Sequence, residues 1–214
     1  MINTLISRCN THKMFWLCTF FPVVILWSCK KDPVDTRIVQ MDPEETARQA
    51  KNIESTIKPE IAEGLTLQIW GVDSLVADPI GIDINDIGHL YYTRTNRQKN
   101  SEFDIRGHQN WETASIQMQT IEDKRKFLHE TLSPENSSNN EWLTDLNGDG
   151  SHDWKDLTVE KEYVYRLEDV SGDGVADLSQ LVVEDFNDEV NDVAGAVLIN
   201  GDDLFVGVAP IFGC

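Results

Sequence analysis

Oxygen-bearing side chains crowd one stretch of the chain, Asp145-Leu-Asn-Gly-Asp-Gly-Ser-His-Asp-Trp-Lys-Asp156. Counted from Asp145, they fall at positions 1, 3, 5, 9 and 12 as Asp145, Asn147, Asp149, Asp153 and Asp156. Gly150 stands at position 6, where the chain must turn sharply, and Ser151 at position 7 can offer its backbone carbonyl. This pattern points to binding of a hard divalent cation, calcium, which takes about six to eight oxygen ligands. Electrostatics argue the same way. At an effective dielectric near 20, two carboxylates about 4 Å apart repel by on the order of 4 kcal/mol. A bound cation relieves that repulsion; otherwise the loop must splay into water. The competing reading is a solvated acidic turn, because Asn-Gly and Asp-Gly are common turn dipeptides.

A second stretch repeats the spacing in part. Asp169, Ser171, Asp173 and Asp177 occupy positions 1, 3, 5 and 9, with Gly174 at position 6 and Gln180 at position 12. A hairpin turn between two strands fits the same residues, and both readings hold together. In the first stretch, Asp156 stands where an EF-hand carries a bidentate Glu. The shorter arm implies a looser site, closer to a dockerin-like or thrombospondin-like geometry than to an EF-hand sensor.

The chain that must position these loops has 214 residues, the size of one ordinary domain. Its net charge of −19 makes it a poor partner for nucleic acid or for anionic lipid surfaces. Cys9, Cys18, Cys29 and Cys214 do not form a disulfide framework, and neither a C-x-x-C-H motif nor a Cys/His zinc spacing occurs. His89, His108, His129 and His152 stand apart in sequence and read as surface or structural residues.

Residues 1–28 read as a signal peptide: Arg8 and Lys13 precede an apolar run from Met14 to Trp27 that is shorter than a membrane span of about 20 residues. The run ends in Leu26-Trp27-Ser28-Cys29, which resembles a bacterial lipobox. That resemblance implies cleavage before Cys29, its lipidation, and anchoring of an exported chain to the membranes of the cell envelope. Lys30 follows in place of the Asp that retains lipoproteins at the inner membrane, so the outer membrane is expected, on its periplasmic or surface face. Residues 29–60 then read as a lipidated tether and a helix. Asp42 is the N-cap, Pro43 and Glu45 sit in the first turn, and Pro59 ends it.

From Ile61 the apolar period becomes two. Strands are expected at Leu65–Trp70, Ile80–Ile84, Leu90–Arg94, Glu162–Glu168, Leu178–Glu184, Val193–Ile199 and Leu204–Val208, with turns at Asn85–Gly88 and Asn200–Asp202. Residues 95–140 read as a polar, irregular insertion holding Arg97, Asp104, Arg106 and His108 and one helical segment, Ile121–Leu132. Such an insertion lines a substrate mouth or is a solvated loop.

Several phrases resemble the opening of bacterial membrane-bound dehydrogenase-like β-propellers, related to glucose and sorbosone dehydrogenases. They include Leu75-Val-Ala-Asp-Pro-Ile80, Phe103-Asp-Ile-Arg-Gly-His108, Trp142-Leu-Thr-Asp-Leu-Asn-Gly-Asp-Gly-Ser-His-Asp-Trp154, Tyr165-Arg-Leu-Glu-Asp169 and Asp192-Val-Ala-Gly-Ala196. The resemblance implies an all-β fold with minor helices, a partial β-propeller over residues 61–214. At about 40–50 residues per blade this is about three of about six blades. It further implies a fragment of a longer parent, inactive alone and prone to aggregate at its open strand edges. The parent would oxidise a small sugar or alcohol with pyrroloquinoline quinone and pass electrons to a haem c domain, which lies outside this chain. His108, Arg94 and Arg106 are the side chains that could serve such a quinone. The alternative is a non-catalytic, calcium-stabilised propeller lipoprotein that binds glycan or protein.

Overall fold

The period-two runs form two antiparallel sheets, and the polar stretches between them carry the helices. The computed structural model describes residues 37–98, 101–209 and, for the backbone, 211–213. The expected signal peptide, Cys29 and the first part of the tether lie outside the described residues. In chain order the elements are β1 (Ile38–Gln40), α1 (Pro43–Thr56), β2 (Ile82–Ile84), β3 (Leu90–Thr95), α2 (Glu112–Gln117) and α3 (Ile121–Thr131). Then come β4 (Glu162–Glu168), β5 (Leu178–Asp185), β6 (Ala194–Asn200), β7 (Asp203–Val208) and β8 (Ile211–Gly213). Short 3₁₀ turns, Ile105–Gly107, Gln109–Trp111, Pro134–Asn139 and Trp154–Thr158, fill the connections. Among the described residues no helix is long and apolar enough to cross a membrane.

The first sheet has the order β1-β5-β4-β3-β2 and the second β6-β7-β8. Strands β2 to β5 follow one another in both sequence and space, and β6 to β8 do the same. The fold is thus mainly antiparallel sheet with helices in its connections, and the described residues close no barrel.

Alternation along β3 assigns the two faces of the large sheet. Tyr92 points to one face, where it packs with Leu167, Leu75, Val72, Val175 and Ala50 of α1. Its ring stacks on Tyr165, directly opposite in the register, at 5.3 Å between centroids. Tyr91 points the other way and packs with Val164, Ala194, Val206 and Val208, so the second sheet covers that face. Gly81 permits the close approach: a Cβ there would lie 3.0 Å from Ala196 Cα and 3.1 Å from the Gly195 carbonyl oxygen. The N-cap reading of α1 agrees with the geometry, Asp42 Oδ1 accepting from the Glu44 N–H at 2.9 Å with Pro43 in the first turn.

Two expectations change. Leu65–Trp70 alternates like a strand but pairs with none; Leu65 and Leu67 are exposed. No second layer covers those leucines, and the segment's polar groups find other partners. Ile69 N–H donates to Glu54, and the Trp70 carbonyl accepts from the Ala176 N–H.

The insertion at 95–140 is not a solvated loop. Its Trp111, Leu128 and Leu132 form a core with Leu143, Leu157 and Val190 from later in the chain, with Phe103, Phe127 and Trp154 against it. Arg97 holds this part together. It is wholly buried, and its guanidinium donates to the carbonyls of Phe186 (2.9 Å), Ser101 (3.0 Å), Leu157 (3.1 Å) and Asp188 (3.2 Å). Burial lowers its pKa, opposed by the charges of Glu162, Asp192 and Asp188.

Candidate metal centre

The 145–156 stretch connects the insertion's core to the 3₁₀ turn Trp154–Thr158, and both of its ends are fastened. Trp154 N–H donates to the Leu132 carbonyl at 2.9 Å, just beyond α3. His152 N–H donates to Ser137 Oγ at 2.8 Å, and His152 Nδ1 lies 2.7 Å from the Leu143 carbonyl. A carbonyl only accepts, so Nδ1 carries the proton. Asp153 is held between these two anchored residues, and its side chain is 0% exposed.

Each acidic side chain of the loop accepts from backbone N–H groups. Asp145 takes those of Gly148 (2.7 Å) and Gly150 (2.9 Å); Asn147 takes that of Asp149 (2.8 Å), and Asp149 that of Ser151 (2.8 Å). These bonds wind the chain tightly, and Gly150 at φ 84° supplies the left-handed residue that the winding requires. Asp156, also buried, closes the loop by accepting from Leu146 (2.9 Å) and Asn147 (3.2 Å) on Oδ1 and from Asp153 (3.0 Å) on Oδ2.

Asp153 differs from the rest. Its Oδ1 accepts from the Lys155 N–H at 2.9 Å, while its Oδ2 is buried with no hydrogen-bond partner. The nearest countercharge is the Lys155 ammonium, 3.7 Å from Asp153 Oδ2 and 3.9 Å from Asp149 Oδ2. Two carboxylate oxygens four residues apart in the loop therefore face one cationic point. Ser151 Oγ is a second buried atom without a partner in the same loop. Among the described residues no three His, Cys, Asp or Glu side chains converge as metal ligands. The donor set that fits calcium here mixes Asp149 and Asp153 with Asp145, Asn147 and the Ser151 carbonyl. An orphaned carboxylate oxygen suits it, because burying such an atom without a partner is costly.

The second acidic stretch is the β4–β5 hairpin loop. Asp169 accepts from Gly172 (2.7 Å), Gly174 (2.9 Å) and Asp173 (3.2 Å), and from Ser171 Oγ at 3.2 Å. Burial pushes the Asp169 pKa up, but the Gly174 and Gly172 N–H groups outweigh it and hold it below the ordinary value. Asp173 takes the Val175 N–H at 3.0 Å. Asp177 accepts from Val170 (2.9 Å) and Ser171 (3.0 Å), the same loop positions that Asp156 clamps in the first loop. Asp177 thus matches Asp156 in role, though its spacing matches Asp153. Nothing in this loop corresponds to the orphaned oxygen of Asp153.

Of the side chains suited to a quinone, His108 and Arg106 both interact with Asp104, while Arg94 lies on the large sheet. His108 stacks on Trp111 and lies against Trp142, each ring centroid 4.1 Å away; burial lowers its pKa, opposed by Asp104. Arg106 is held by Asp104 at 2.7 Å. Arg94 lies on β3 and lines a cavity with Tyr92 and Tyr165. Sequence reasoning missed Lys155, because spacing does not show where its ammonium points, and the arginine cavity, because only the folded chain brings its distant residues together. No family model matches the chain, and comparison with curated proteins and with solved structures returns no match either.

Proposed function

We propose that this chain is an exported, calcium-stabilised β-sheet lipoprotein that binds glycan or protein. Calcium would sit in the 145–156 loop, taking the place of the Lys155 ammonium between Asp149 and Asp153 and drawing on Asp145, Asn147 and the Ser151 carbonyl. Asp156 holds the loop closed around it. The hairpin loop of Asp169, Ser171, Asp173 and Asp177 is the weaker site, since none of its carboxylates has a buried oxygen without a hydrogen-bond partner. The observation that carries the reading is the buried, unpartnered Oδ2 of Asp153. Export and lipidation at Cys29 rest on the Leu26–Cys29 motif, and they suit a loose site, because extracellular modules bind calcium at roughly 10⁻⁴–10⁻³ M.

The partial propeller belongs to the same proposal. Sequential meanders, β2–β5 and then β6–β8, support it, since a blade of such a ring is a meander of about four strands. A quinone-dependent dehydrogenase would need a base and a cation on one ligand. Arg94 lines a cavity whose walls include neither His108 nor Arg106, which both interact with Asp104 instead, and this favours the non-catalytic reading.

Melting in EDTA and then in calcium tests this. At about 5 mM calcium and a Kd of roughly 10⁻⁴–10⁻³ M, binding adds about 1–2.3 kcal/mol, a rise in Tm on the order of 2–9 °C for a domain of this size. The variant with both Asp149→Ala and Asp153→Ala should lose the rise. Absence of any shift up to several millimolar calcium would refute the proposal.

A further inference from the structure

The large sheet carries a cavity of about 230 Å³ on the face opposite the second sheet, bounded by the turn at 73–77. Its floor crosses four strands: Val39 of β1, Ser179 of β5, Tyr165 of β4 and Tyr92 of β3. The register sets these residues side by side, with Val39 opposite Ser179 and Tyr92 opposite Tyr165. Arg94, two residues after Tyr92, shares its face and stands at one end of the cavity. Arg37 stands at the other end, three strand spacings or about 14 Å away.

Two features make this cavity unusual in so acidic a chain. It gathers two arginines, while the net charge is −19. Arg94 is also half-buried, and its guanidinium has no hydrogen bond or ion pair among the described residues, whereas those of Arg97, Arg106, Arg125 and Arg166 are all engaged. A half-buried guanidinium facing an open cavity is a site for an oxyanion, which its planar fork binds through two parallel hydrogen bonds.

The other walls narrow the class. The half-buried Tyr165 and the apolar side chains of Val39 and Ala77 offer surface to a ring, and the Tyr165 hydroxyl can bond to a ligand hydroxyl. Asp73, exposed at the rim, repels a dianion such as phosphate more than a monoanion, yet can accept a hydroxyl hydrogen bond. The volume corresponds to about eight waters at about 30 Å³ each, which limits the ligand to a small molecule or one sugar unit.

We propose that this cavity binds a small hydroxylated carboxylate of sugar-acid size, with Arg94 as the carboxylate's partner. The inference deepens the glycan-binding role proposed above and is independent of the metal loop. Calorimetric titration of the chain with D-glucuronate, in calcium and again in EDTA, tests it. Glucuronate should bind at least tenfold more tightly than glucose and than inorganic phosphate. Arg94→Gln should weaken it at least tenfold with the melting temperature unchanged. On the unaltered chain, the methyl ester of glucuronate should bind no better than glucose, a comparison that needs no folded variant. The proposal is overturned if glucuronate gives no heat at millimolar concentration, if the ester or phosphate binds as well, or if folded Arg94→Gln keeps its affinity. The melting shift with calcium is read separately, so failure here and failure of the metal reading are distinguishable.

Discussion

Asp153 and Lys155 define the metal question at the scale of single residues. Spacing alone nominated Asp145, Asn147, Asp149, Asp153 and Asp156 as equals, because sequence shows which side chains carry oxygen. It does not show which oxygens are already taken. The fold separates them: Asp156 has both oxygens engaged by backbone N–H groups, while Asp153 keeps Oδ2 buried and without a hydrogen-bond partner. The Lys155 ammonium reaches Asp149 and Asp153 from a half-exposed position, so its attraction is worth about 0.2–1 kcal/mol. A calcium ion bound as proposed would displace it. Lys155→Gln should therefore raise calcium affinity by up to about fivefold while slightly lowering the melting temperature in EDTA. A weaker calcium titration in this variant would mean that the ammonium does not compete for the site.

Among the elements, Arg97 is the joint on which the insertion depends. It fastens the start of the insertion, the 3₁₀ turn after the acidic loop and the β5–β6 connection through four carbonyls. Arg97→Met leaves those carbonyls buried without their donor, so the expected loss is about 3–5 kcal/mol in urea unfolding. A loss under about 1 kcal/mol would mean that water or neighbouring groups replace the guanidinium. This joint was invisible in the sequence. An arginine in a polar stretch beside Asp104, Arg106 and His108 reads as solvated, and only closure of three separate loops buries it. Local signals fared better where the cause is local. The α1 N-cap at Asp42, β4 at Glu162–Glu168 and the turn at Asn85–Gly88 were legible from neighbouring residues. Leu65–Trp70 misled because alternation reports the shape of a strand but not the presence of a partner.

For the whole molecule, two antiparallel meanders pack against each other through Tyr91, Val164 and Val206, and the insertion forms a separate core that carries the acidic loop. The alternating runs made the sheet character legible. The order of strands, the second core and the arginine cavity were not, because each depends on contacts between residues far apart in sequence. In the proposed function a divalent ion sits between Asp149 and Asp153. Terbium, which substitutes for calcium, tests it directly, because Trp154 adjoins Asp153 and can pass excitation energy to the bound ion. Exciting the indole should produce terbium emission that excess calcium extinguishes and that Asp153→Ala and Trp154→Phe each largely abolish. Absence of that emission, or its persistence in Asp153→Ala, would contradict the account.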